Sequence, residues 1–142
     1  MNAVEQVTYT EISSDQQPLA EEANELCEGT FGNDLKWEGN YRVYVATEGD
    51  RVVGVANVSI NEGHSANIRF IATNPERRSR GVGSIMLEGV LSEAEEAGCT
   101  VASLTPTAES DATLDRFYER HGFTYPNRDS LSMRKTLQPR KK

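Results

Sequence analysis

The chain has 142 residues, 22 acidic against 15 basic, and a net charge of −7. That length suits one domain with a real core, expected to span 1–142 with its core at about 4–137. The charge argues against a general nucleic-acid binder, which needs a basic surface for phosphates, and suits a cationic or amine-bearing partner instead.

Residues 4–12 alternate Val4, Gln6, Thr8 and Thr10 against Glu5, Val7, Tyr9 and Glu11, which predicts a first strand at a sheet edge. Asp15 is placed to cap a helix running to about Glu28, with Leu19, Ala20, Ala23, Leu26 and Cys27 at helical spacing and Gly29 as its stop. Thr30–Asn40 is polar, with Phe31, Leu35 and Trp37 interspersed. It reads as a loop or short helix lying across the sheet, with Trp37 plugging the core in preference to walling a substrate. Tyr41–Thr47 and Arg51–Ile60 read as strands joined by Glu48-Gly49-Asp50, and the turn Asn61–His64 leads to a third, Ser65–Thr73. These form an antiparallel meander in which Gly54 and Gly63 serve as bulge and turn.

The helix from Val82 is the clearest element, with Ile85, Met86, Val90, Leu91 and Ala94 on one face and Gly98 as its end. Cys99–Leu104 reads as a strand, Ser110 or Asp111 caps a helix to about His121, and Leu131–Leu137 alternates as a last strand. The basic tail Pro139–Lys142 reads as a solvated end. Cys27 and Cys99 lack CxxC or Cys/His spacing, so no metal site is expected. With no signal-peptide pattern and no apolar run near the roughly 20 residues of a membrane span, the chain reads as cytoplasmic with reduced thiols.

The chemistry concentrates at residues 71–83, where a β-branched strand meets Gly81, Gly83 and an apolar helix. Glycines at a helix start permit close approach of an anion to N–H groups that have no intrahelical partner. The spacing is neither Gly-x-Gly-x-x-Gly nor the Gly-Lys-Ser/Thr ending of a nucleotide P-loop. Taken alone, the two glycines equally suit a tight strand-to-helix turn. A second element lies about forty residues on, in Leu114-Asp115-Arg116-Phe117-Tyr118-Glu119-Arg120-His121-Gly122-Phe123.

Arg78-Ser79-Arg80-Gly81-Val82-Gly83, preceded by Pro75, resembles the acetyl-CoA motif of the GNAT superfamily of acyl-CoA N-acyltransferases, and Phe117-Tyr118-x-x-x-Gly122-Phe123 resembles that family's late helix. The resemblance implies an α/β (α+β) GNAT fold: one mixed, mostly antiparallel central sheet flanked by helices, with strands splayed at the acetyl-CoA site. It implies that backbone groups of Ile71, Ala72 and Thr73 bind the pantetheine arm, with Ile71 N–H as oxyanion donor. Arg78, Ser79, Arg80, Gly81, Val82, Gly83 and Ser84 would hold the pyrophosphate, and Tyr118 would contact the cofactor and serve as general acid to the leaving thiolate. Asp111 stands where the family often has a cofactor-contacting asparagine. Many members place a glutamate base on the strand before the loop, but Asn67-Ile68-Arg69-Phe70 has no carboxylate. Glu62, His64, Glu38 or relayed water remain as candidates, and His121 is assigned no role.

The implied activity is acetyl-CoA-dependent transfer to a primary amine of a small molecule, peptide or protein by direct attack on the thioester. The implied partners are acetyl-CoA and an amine acceptor, with no metal, no membrane and no nucleic acid, in a monomer or homodimer. Two alternatives stay open: a non-catalytic acyl-CoA-binding regulatory module, and a toxin-like acetyltransferase of aminoacyl-tRNA.

Overall fold

The computed structural model describes residues 7–31, 34–74, 81–105, 112–127 and 129–139. Six strands form one sheet in chain order: β1 (Val7–Ile12), β2 (Tyr41–Glu48), β3 (Arg51–Asn61), β4 (Ser65–Thr73), β5 (Val101–Leu104) and β6 (Met133–Thr136). Every neighbouring pair is antiparallel except β4 and β5. That exception follows from the connection, since the helix between them must cross over the sheet to start β5 in the same direction. β1 lies at the edge, as its polar alternation predicts.

The central strands are buried on both faces, and their side chains divide by the two-residue period. Val43, Val45, Val52 and Val55 join Ala20, Ala23 and Cys27 of α1 (Leu19–Phe31) on one face. Tyr44, Ala46, Ala56 and Val58 face Met86, Leu87 and Val90 of α2 (Val82–Glu96) on the other. Tyr118 of α3 (Ala112–Arg120), Phe123 and Met133 complete the α2-side core. Trp37 packs against the α1-side core.

Several boundaries differ from expectation for local reasons. Asp15 does not cap α1; its carboxylate accepts from Ser13 Oγ at 2.5 Å, while Gln17 Oε1 accepts the Glu21 N–H at 3.2 Å. Gly29 lies inside α1 because the helix continues to Phe31. The bulge expected at Gly54 falls on its neighbour Val53, since Ala46 pairs with Gly54 and Thr47 with Val52. Gly54 instead admits α2: a Cβ there would stand 2.9 Å from Val82 Cγ1. β5 starts at Val101 because Cys99 N–H still bonds the α2 carbonyl of Ala94, and β6 starts at Met133, leaving Leu131 80% exposed. The proposed capping positions of α3, Ser110 and Asp111, lie outside the described residues, as does the start of the first strand before Val7.

The Tyr9 ring stacks on Tyr44, with centroids 5.4 Å apart and planes 9° from parallel. The outer part of the same ring presses on α2 at Gly89, where a Cβ would lie 2.5 Å from Tyr9 Cζ. Burial raises both phenols, Tyr44 to about 12. Gly89→Ala gains helix propensity of about 1 kcal/mol, but overpacking against the Tyr9 ring, held on its stack with Tyr44, costs about 1–3 kcal/mol, so the overlap wins. At Gly29 nothing among the described residues lies within 4 Å, which leaves the propensity gain. Urea denaturation should therefore show Gly89→Ala destabilised and Gly29→Ala stabilised by about 0.5–1 kcal/mol.

Candidate active site

β5 has four residues, and its pairing with β4 runs only from Ser65↔Val101 to Ile68↔Leu104. β4 continues through Arg69–Thr73 with β3 on one side and no strand among the described residues on the other. Asn74 N–H bonds Val53 O at 2.8 Å. By strand alternation Ala72 then also turns its polar backbone groups to β3, while those of Ile71 and Thr73 face the open side. The result is a strand edge with the hydrogen-bonding groups an extended, amide-bearing chain would need.

The first turn of α2 stands beside this edge. Gly81 has φ +80°, a left-handed conformation that favours glycine and lets the chain turn into the helix. A Cβ on Gly83 would lie 3.4 Å from Phe117 Cζ of α3 and 3.9 Å from Thr73 Cγ2 of β4, so three elements converge there. Among the described residues the first backbone bond of the helix runs from Ile85 N–H to Gly81 O at 3.0 Å. The N–H groups of Val82, Gly83 and Ser84 therefore point out of the positive end of the helix. Arg78, Ser79 and Arg80, expected to join them, lie outside the described residues, and so does Asp111.

Tyr118 projects from α3 into the α2-side core at 7% exposure, edge-on to Phe117 and Phe123. Burial pushes its phenol up to about 12. One turn later, His121 Nε2 lies 3.2 Å from Ser84 Oγ, its Nδ1 lies 3.7 Å from Glu88, and Lys135 donates to its carbonyl at 2.6 Å. His121 thus ties α3 to the first turns of α2. A groove of about 480 Å³ runs beside it, between Glu88, Glu95, Arg120 and Lys135. The sequence carried no signal for this contact, because its partners are distant in the chain.

A second unanticipated group lies on the α1 face. Asn57, fully buried, accepts from Lys36 N–H at 2.9 Å and donates to Lys36 O at 2.9 Å and Arg42 O at 3.1 Å. This reciprocal pair with Lys36 holds residues 34–37 across the sheet as a strand partner would. Arg69 completes the group. It is the extra residue of a bulge, since Asn57 pairs with Phe70 and Val58 with Ile68. Its Nη1 donates to Asp34 O at 2.7 Å and Asn57 Oδ1 at 3.0 Å, and its guanidinium lies 4.7 Å from the Phe70 ring centroid.

The candidate bases do not gather at the open edge. His64 and Glu62 belong to the turn before β4, His64 seven positions before Ile71, roughly 20 Å along a strand. Glu38 is exposed at the bend between residue 37 and β2, where its carbonyl accepts from Tyr41 N–H. Among the described residues no three His, Cys, Asp or Glu side chains gather as a metal site, and no helix is long and apolar enough to cross a membrane.

A mixed sheet opened between its parallel strands, with a glycine-started helix at the opening, defines an acyl-CoA-transferase type of fold. The chain belongs to the acetyltransferase (GNAT) family, whose sequence profile matches residues 7–123. Among solved structures it is similar to the ribosomal-protein-S18-alanine N-acetyltransferase of Escherichia coli, at 21% identity over 92% of this chain and 94% of that one, with a TM-score of 0.72. It is also similar to Ard1 of Thermoplasma volcanium, at 21% identity over 93% and 98% with a TM-score of 0.73. A GNAT family acetyltransferase of Elizabethkingia anophelis, solved with acetyl-CoA bound, matches at 16% identity over 93% and 99% with a TM-score of 0.67. No curated protein matches the sequence.

Replacing Asn57 by Leu keeps its approximate volume but removes the partner of part-buried backbone groups of Lys36 and Arg42, at up to about 1–3 kcal/mol for each group left unpaired. Asn57→Leu should lose about 2–4 kcal/mol of stability in urea. Hydrogen exchange should quicken at the Lys36 amide well before it does in α2.

Proposed function

We propose that the protein is an acetyl-CoA-dependent N-acetyltransferase that passes an acetyl group to a primary amine of a small molecule, peptide or protein. The observation that carries this reading is the open edge of β4 beside the N-terminus of α2, where Phe117 of α3, the residue before Tyr118, reaches Gly83. Membership of the acetyltransferase family supports it.

In this reading the pantetheine arm of acetyl-CoA lies along Ile71–Thr73 and its pyrophosphate meets the N–H groups of Gly81–Ser84, joined by Arg78, Ser79 and Arg80. The glycines fit that cradle: among the described residues nothing lies within 4 Å of where a Gly81 side chain would project. Ile71 N–H, turned to the open side, serves the thioester oxygen as it becomes an oxyanion. Deprotonation of the amine falls to Glu38 or to water, Glu62 and His64 being remote.

Direct attack is favoured over an acetyl-cysteine intermediate. Burial pushes the Cys27 thiol up to about 11 and also raises Cys99, so neither supplies a thiolate near neutral pH. These buried free thiols also suit a reducing, cytoplasmic setting.

The role of Tyr118 follows from its burial. Burial raises the Tyr118 phenol to about 12, further above an ordinary thiol than an exposed tyrosine, which disfavours outright proton transfer to the departing thiolate. A hydrogen bond to the sulfur as the C–S bond breaks needs no such transfer. Tyr118 is therefore a protonated donor to the developing thiolate, and the proton that finally reaches the sulfur comes from the ammonium formed by attack.

Two measurements test this. Tyr118→Phe should lower kcat by about 10²–10³-fold with acetyl-CoA affinity nearly unchanged, as for a donor that acts in the transition state. Because its pKa is raised, Tyr118 stays protonated at every pH below about 11, so its loss should not move the alkaline limb of the pH profile. Gly81→Glu, bringing bulk and negative charge to the anion site, should abolish acetyl-CoA binding by calorimetry in a folded protein. Unchanged affinity would sink the cradle.

A further inference from the structure

We infer that the acceptor carries a carboxylate next to its reactive amine, and that Arg69 is the residue that selects it. The inference rests on the transferase reading and names the substrate class of that same site.

The sheet separates two approaches to the open edge. Ile71 packs against the α2-side core, and Thr73 comes close to Gly83 on that face, where the anionic end of the cosubstrate is placed. A second substrate reaching the thioester must come from the other face, the side of α1 and residues 34–37. Arg69 stands there. It is the first residue of β4 beyond the reach of β5, and the bulge sends its side chain to the α1 face to meet Asp34 O and Asn57 Oδ1.

Its partners are what make it informative. Both are neutral oxygens, and among the described residues no carboxylate lies within 4 Å of the guanidinium. A cation in a chain of net charge −7 has carboxylates to spare, yet this half-buried one is held by neutral acceptors and by the Phe70 ring. One guanidinium nitrogen makes both bonds, and the planar group presents five N–H donors in all. Asp34 and Glu28 lie in the same neighbourhood, but a guanidinium fixed by neutral oxygens with no carboxylate in ion-pair contact among the described residues is still suited to fork onto a carboxylate. Lys36, exposed near the Tyr41 ring, adds a second positive charge to the same segment.

The test compares isosteric acceptor pairs at fixed acetyl-CoA. Two sources of the carboxylate are separated by two pairs: glycine against glycinamide for an α-carboxylate, and Asp-Ala-Ala against Asn-Ala-Ala for an acidic first side chain. In one pair the carboxylate member should be favoured by about 10–100-fold in kcat/KM, the scale of a charge-assisted hydrogen bond. The preference should reside in KM and shrink in 0.5 M salt. Arg69→Gln, which can still donate to the neutral oxygens, should bring that ratio close to one, while Arg69→Lys keeps part of it. Equal use of both members of both pairs by the wild type would overturn the inference, and that arm needs no variant to fold. A ratio undiminished in Arg69→Gln would overturn it too. Acetyl-CoA binding without transfer to any amine would overturn the transferase reading, and this one with it.

Discussion

The structure depends on where β5 stops pairing with β4. Parallel pairing is possible only because α2 crosses over the sheet, and it lasts only to Ile68 because β5 ends at Leu104. One residue later the Arg69 bulge changes the register of β4 against β3. Among the described residues the following positions pair only with β3, so Ile71 and Thr73 keep strand geometry with no second strand described beside them. Unpaired backbone groups are tolerable at a surface edge but remain an invitation to another extended chain.

That edge keeps its shape because each face of the sheet is covered by different means. On the α2 face the cover is a long apolar helix whose distances are set by glycines: Gly54 of β3 admits Val82, while Gly89 and Gly83 of the helix seat Tyr9 and meet Phe117. On the α1 face, residues 34–37 have no regular structure of their own. They are held by a buried side-chain amide that reproduces the paired donor and acceptor of a strand. An apolar residue in place of Asn57 would still fill the core but would leave the segment without a reason to stay, a case in which polar satisfaction determines position.

Most of the fold was legible because it rests on local signals: the strand alternation, the Gly49-Asp50 turn, the stop at Gly98 and the apolar stripe of α2. The boundaries that failed involve competition between neighbours. Asp15 is a good capping residue in isolation, yet Gln17 reached the helix N–H and Ser13 claimed the aspartate. Gly54 suited a bulge, but whether a glycine serves backbone conformation or a helix 28 residues away is invisible until the helix is placed. In the candidate site, Gly81, Gly83 and Tyr118 carried a family pattern and were readable by spacing. Asn57, Arg69 and His121 were not, since each acts through partners 12 to 37 residues distant that no local pattern marks.

The absence of a carboxylate between Asn67 and Phe70 then takes on a different meaning. A glutamate near Arg69 would neutralise it, and the pair would be a closed structural tie with little left for a ligand. With Asn67 instead bonded to Ser103 Oγ at 2.9 Å, the guanidinium faces no competing charge from its own strand. The same residues that leave the site without an obvious base leave it with an unspent cation, and near neutral pH a base is the more dispensable of the two. An amine whose ammonium form exchanges protons rapidly with water needs only a route to solvent, whereas a substrate must be held in one orientation for its nitrogen to meet the thioester carbon. For the proposed transferase, the neutral partners of Arg69 favour a site that invests in orientation and leaves proton removal to Glu38 or to water.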